Sequence, residues 1–205
     1  MIINAPGDIE ARSMEIIESE LKTEIPEDRK AIVKRVIHCT ADFDYEENLC
    51  FSEGAVQSAL EALRSGCNIF TDTQMARSGI NKTAAGKLGC ELHCFISDPD
   101  IAAIAKERGC TRAVASVEKM AAMDPEAIFV FGNAPTALLR LTELIQEGKA
   151  RPKLVVGVPV GFVNIIESKE AIMAEDVPYI VGKGRKGGSN VAAAIVNALM
   201  YQITR

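Results

Sequence analysis

Short apolar runs alternate with helical patterns five times between residue 66 and the carboxyl end, and this alternation constrains the fold more than any other feature. The runs cover 67–71, 92–96, 127–131, 154–158 and 179–181. Most lack the polar residue at every second position that a half-exposed strand carries, so they read as strands buried on both faces. Helical stretches fall near 72–78, 99–108, 112–122, 135–147 and 167–174, and a last helix is predicted over 189–202. Strand and helix in that order call for a parallel sheet covered on both faces, an α/β fold. Three more helices precede the alternation, at about 8–20, 26–38 and 53–65. In the second, Pro26 suits the start, Glu27 and Asp28 suit its positive end, and Ile32, Val33, Val36 and Ile37 form an apolar stripe. The third ends at Gly66, as helices often do.

With 205 residues, 48% of them hydrophobic, the chain suffices for one domain with a sizeable core, and no repeat or linker divides it. A single domain over 1–205 is expected. A net charge of −5 argues against nucleic-acid binding, which relies on a broad basic face, so any anion site must be local. No stretch approaches the roughly 20 apolar residues of a membrane helix. Residues 1–13 lack the basic segment and apolar run of a secretory leader. A cytoplasmic protein without a membrane partner is expected, and Cys39, Cys50, Cys67, Cys90, Cys94 and Cys110 read as reduced core residues.

In parallel α/β sheets ligands bind outside the carboxyl ends of the strands, which directs attention to the strand-to-helix turns. These are Thr71–Thr73, Ser97–Pro99, Gly132–Thr136, Gly157–Phe162 and Gly182–Ser189. The last opens a helix with glycines and three cations, Lys183, Arg185 and Lys186, and free amides at a helix start attract anions. It is not a phosphate-binding P-loop, because Gly187-Gly188-Ser189 stands where Gly-Lys-Ser/Thr is required. In the Gly132–Thr136 turn, Pro135 leaves neighbouring N–H groups pointing outward, for a ligand or for an ordinary cap. Gly157, Pro159 and Gly161 suit close approach of backbone to a flat ligand and plain turn chemistry equally.

There are two histidines. His93 lies within a predicted strand and reads as a satisfied core or surface imidazole. Cys90, His93 and Cys94 have no second pair to complete a metal site, so no metal is expected. His38 ends the second helix, ahead of the acid-rich Asp42-Phe43-Asp44. A helix carboxyl end and nearby carboxylates both favour a protonated ring, as a general acid requires. On spacing alone, a general acid and a residue that merely stabilises its helix are equally good readings.

At these same positions the sequence resembles the precorrin-8X methylmutases, a family that includes the cobalt-precorrin-8 enzymes. The matching stretches are Arg12-Ser13 with Ile16-Ile17, Arg35-Val36-Ile37-His38, Asn133-Ala134-Pro135-Thr136-Ala137-Leu138, Val158-Pro159-Val160-Gly161-Phe162-Val163 with Glu167-Ser168-Lys169, and Gly184-Arg185-Lys186-Gly187-Gly188-Ser189. They extend from the first helix to the last, and the final two together are far more specific than any one glycine motif.

The resemblance implies a flavodoxin-like three-layer α/β/α sandwich with a five-stranded parallel sheet in order 2-1-3-4-5, extra N-terminal helices and a homodimer. It implies a tetrapyrrole substrate, precorrin-8X or cobalt-precorrin-8, whose acetate and propionate chains make it flat and strongly anionic. The reaction it implies is a 1,5-sigmatropic methyl shift from C11 to C12, giving hydrogenobyrinate or cobyrinate, with no cofactor. The family's catalytic histidine matches His38 as proton donor to the macrocycle. Implied contacts are Arg12, Ser13, Arg112, Asn133, Thr136, Gly161, Lys169, Arg185, Lys186, Gly187, Gly188 and Ser189. Two rival readings are a phosphate or nucleotide binder using the last glycine turn, and a carrier that holds a corrinoid without acting on it.

Overall fold

The structure, a computed structural model, describes residues 5–205. Residues 1–4, the start of the segment read for a leader, lie outside the described residues. The strands are Leu49–Phe51 (β1), Asn68–Thr71 (β2), Glu91–His93 (β3), Ile128–Phe131 (β4), Leu154–Gly157 (β5) and Tyr179–Gly182 (β6). They form one sheet in the spatial order β1-β6-β5-β4-β2-β3. Neighbours from β6 to β3 run parallel, while β1 runs antiparallel to β6 with Leu49 opposite Gly182. The sheet is therefore six-stranded and mixed, which corrects the expected five parallel strands. Leu49-Cys50-Phe51 is too short an apolar run to stand out beside the helical turn before it, and only pairing with β6 makes it a strand.

The helices are Pro6–Glu20 (α1), Glu27–Thr40 (α2), Tyr45–Asn48 (α3), Ala55–Arg64 (α4), Gln74–Gly79 (α5), Lys82–Lys87 (α6), Pro99–Arg108 (α7), Arg112–Met123 (α8), Pro135–Gln146 (α9), Ile165–Met173 (α10) and Ser189–Thr204 (α11). Of these, α3 and α6 are single or double turns that the apolar spacing does not reveal. None of the described helices is long and apolar enough to cross a membrane.

Alternation along the strands divides the core in two. Ile69, Ile128, Val130, Leu154, Val156 and Ile180 face the layer built by α2, α4 and α11. Phe70, Phe129, Phe131, Val155 and Val181 face α8, α9 and α10. Burying each such side chain contributes about 1.5–3 kcal/mol. A one-residue slip would exchange the two sets, so packing on both faces holds the register.

The last helix is buried nearly all round, with Val191, Ala192, Ile195, Val196 and Leu199 at 0–1% exposure, because α2 crosses its outer side. The α2 stripe of Ile32, Val33, Val36 and Ile37 is buried in that contact. One consequence matters for the site: the end of α2 lies beside the start of α11, with Cys39 Sγ 4.0 Å from the Asn190 carbonyl oxygen. The cysteines depart from expectation. All six are free thiols, but only Cys90 and Cys94 are buried, and Cys39 is exposed on the last turn of α2.

Candidate active site

The parallel strands deliver four turns to one edge, and their backbones lock together. Thr71 closes β2, and the next residue, Asp72, is 3% exposed. Its carboxyl reaches the turn after β4: one oxygen accepts from the Gly132 N–H at 2.9 Å, the other from Asn133 and Ala134, both at 2.7 Å. Burial pushes this carboxyl up, and the three amides oppose that shift. Of the two readings open for this turn by sequence, ligand contact or an ordinary cap, neither holds for the Gly132, Asn133 and Ala134 amides, which take an internal partner, this buried acceptor. Asp72 itself carries a sequence signal, an acid directly after a wholly apolar strand, but its partner lies sixty residues away.

The Gly182–Ser189 turn crosses the ends of β5 and β4 in backbone contact. Gly188 N–H donates to the Val158 carbonyl at 2.9 Å, and a Cβ on Gly187 would sit 2.1 Å from that oxygen. A Cβ on Gly132 would lie 2.6 Å from the Cα of Ser189. Glycine is required at 187 and 132 because two chain segments occupy the space of a side chain. The Ser189 hydroxyl is 2.8 Å from that of Thr73, tying in the turn after β2. From the turn after β5, Gly161 N–H donates to the Arg185 carbonyl at 3.3 Å.

Two lysines expected to meet the ligand have other partners. Lys169 is 1% exposed, and its ammonium donates to the carbonyls of Gly184 at 2.8 Å and Lys186 at 2.9 Å. Burial lowers its pKa to about 8. It supports the turn from beneath instead of touching a ligand, because α10 aims its side chain at the inner side of the turn. Lys186 donates to Asp42 and Asp44, both at 2.6 Å, and these carboxylates raise its pKa well above the usual lysine range. The two acids expected to support His38 therefore face Lys186, and their pairing joins the last turn to the end of α2.

His38 stands exposed on the final turn of α2, which Ala41 closes in the left-handed region. The residue after His38, Cys39, borders a hollow of about 400 Å³, lined also by Tyr45, Val160, Lys186, Gly187 and Asn190; His38 itself is not in that lining. A larger hollow of about 550 Å³, bordered by Glu18, Leu21 and Lys30, lies away from the strand ends. The smaller one is the better candidate because strand-end turns and the end of α2 converge on it. Beyond Val160, the chain exposes Phe162 (83%) and Val163 (74%), and the Arg185 guanidinium lies 5.6 Å from the Phe162 ring centroid. An exposed apolar strip edged by cations marks a binding surface. The glycine pattern pointed to this turn, but nothing in the sequence marked Phe162 as exposed.

The remaining expected residues divide. The Thr136 hydroxyl is 3.2 Å from that of Thr111, which brings exposed Arg112 beside the β4 turn and exposed Asn133. Arg12 and Ser13 have partners within α1, Arg12 pairing with Glu15 and the Ser13 hydroxyl donating to the Ile9 carbonyl. His93 is half-buried, with Nε2 2.9 Å from Asn68 Oδ1 and its ring beside Phe70.

Comparison with known proteins gives this edge its context. Residues 8–202 match the family model described as precorrin-8X methylmutase. A cobalt-precorrin-8 methylmutase from Salmonella typhimurium is 48% identical, over 98% of this chain and 97% of that one. Another from Priestia megaterium is 44% identical, over 95% and 87%. A precorrin-8X methylmutase from Pseudomonas aeruginosa is 39% identical over 85% of each chain. The crystal structure of the Thermus thermophilus precorrin-8X methylmutase superimposes with a TM-score of 0.88, at 39% identity over 95% of each chain. With a match this long in both sequence and fold, the chain belongs to the precorrin-8X methylmutase family.

Proposed function

We propose that this protein moves a methyl group from C11 to C12 of cobalt-precorrin-8, giving cobyrinate, with His38 as proton donor to the macrocycle. The observation that carries this reading is the convergence at one sheet edge of the amide-rich last turn, the apolar strip at Val160–Val163 and the end of α2 bearing His38. The strip suits the flat face of a tetrapyrrole. Arg185, Arg112 and the amides of Gly187 and Ser189 suit its carboxylates, with Gly161, Thr136 and Asn133 at the ring edge, whereas the Gly188 N–H is held by the Val158 carbonyl and is not free for a ligand. In a 1,5-shift one carbon–carbon bond breaks as another forms, without net oxidation. The protein therefore has to hold the ring in a single geometry and bias its electrons with one proton. The cobalt form is favoured over the metal-free form because the relatives of higher identity carry the cobalt name.

The same reading takes the chain as one flavodoxin-like domain, working in the cytoplasm as a homodimer.

Visible spectroscopy tests the proposal. Purified protein mixed with cobalt-precorrin-8 should develop a corrin chromophore, faster than with the metal-free substrate. His38→Ala should lose turnover yet still bind cobyrinate. Unchanged turnover in that variant removes His38 from the mechanism, and pigment binding without conversion by the wild type favours a carrier.

A further inference from the structure

Lys169 is the largest charged side chain fully buried in the described structure, and its ammonium meets carbonyls instead of a carboxylate. Placing a cation in the interior without a counter-ion costs free energy, so the position calls for an explanation beyond packing. The peptide units supply one. The described peptide bonds include no cis bond. Across a trans peptide the carbonyl of one residue and the N–H of the next point in opposite directions. Holding the Gly184 and Lys186 carbonyls toward the ammonium turns the Arg185 and Gly187 N–H groups away from it. Neither N–H donates to any acceptor among the described residues. Arg185 and Lys186 are exposed, and Gly187 borders the hollow at the end of α2.

We propose that Lys169 is a positioning residue: its ammonium orients two peptide units of the Gly182–Ser189 turn so that the Arg185 and Gly187 amides face the substrate and take its carboxylates. This rests on the reading of that turn as the carboxylate site. The cation beneath the turn also adds positive potential on the side where an anionic ligand arrives. Lysine suits the role because its slender stem passes through a packed interior and its three N–H donors serve two carbonyls at once.

The test compares Lys169→Met, Lys169→Arg and Arg185→Ala with the wild type, using cobalt-precorrin-8 for turnover and cobyrinate for binding. Lys169→Met keeps the stem and removes the donors. Its KM should rise on the order of tenfold, the equivalent of one hydrogen bond to a charged group, while kcat changes much less. Lys169→Arg should recover part of the loss. A cooperatively melting Lys169→Met with unchanged KM overturns the inference. If Arg185→Ala raises KM and Lys169→Met does not, only the positioning role fails. If both leave KM unchanged, the turn is not the carboxylate site and that reading fails with it. Should the Lys169 variants not fold, the wild type still decides. Cobyrinate should shift the Arg185 and Gly187 amide proton resonances, and shifts elsewhere without these two would overturn the proposal.

Discussion

Replacing Asp72 should cost more stability than any single change on the surface of this fold. Its two carboxyl oxygens serve three amides, of which Gly132 and Ala134 are buried and Asn133 is exposed. In Asp72→Ala, water can reach the Asn133 N–H but not the other two. Each buried amide left without a partner costs about 1–3 kcal/mol, so two cost about 2–6. Removing a carboxyl whose burial is itself unfavourable, as its raised pKa records, returns part of that. The net loss should be about 2–4 kcal/mol, against a total of about 5–15 for a domain. Asp72→Asn keeps one acceptor oxygen but turns an NH2 group toward a donor, and should fall between Ala and wild type. Urea unfolding followed by circular dichroism at pH 7 measures this, provided the slope with urea stays constant across the three proteins. A loss below about 1 kcal/mol for Asp72→Ala, or Asn proving worse than Ala, would refute the claim that these amides depend on the carboxyl.

The other predictions concern the same edge. Gly187→Ala places a methyl group against the Val158 carbonyl and should cost about 2–4 kcal/mol of unfolding free energy in a urea titration, whereas Gly184→Ala meets open space at φ +77° and should cost only about 1–2. Phe162→Ala removes a ring that is 83% exposed, so unfolding should change by less than about 0.5 kcal/mol while cobyrinate affinity, read by fluorescence or absorbance titration, falls. Lys169 predicts a pH effect on stability. Folded, it releases its proton near pH 8; unfolded, near the ordinary lysine value. Between these the unfolded chain holds more protons, so this group's contribution to stability rises with pH, by roughly 3 kcal/mol across the window. Relative to Lys169→Met, the wild type should gain stability from pH 7.5 to 10.5, and a flat difference would contradict the burial of a charged amine.

Local patterns carried the parallel part of the sheet, because strands buried on both faces leave continuous apolar runs such as Ile128–Phe131 that need no partner to be recognised. Helix α2 was legible for a similar reason, its stripe and its Pro26–Asp28 start being properties of neighbouring residues. The glycines of the last turn announced a close approach. What they approach, the Val158 carbonyl and the Ser189 backbone, is decided by how β5 and α11 meet. Strand β1 exists only through pairing with β6, and three residues hold too little signal of their own. The carboxyl of Asp72 and the ammonium of Lys169 have roles that depend on partners far along the chain, sixty and fifteen residues away. The family resemblance implied a ligand-facing cation at Lys169. Only the packing of α10 beneath the turn makes it an internal support, since burial and hydrogen-bond direction are properties of the folded arrangement and not of the residue.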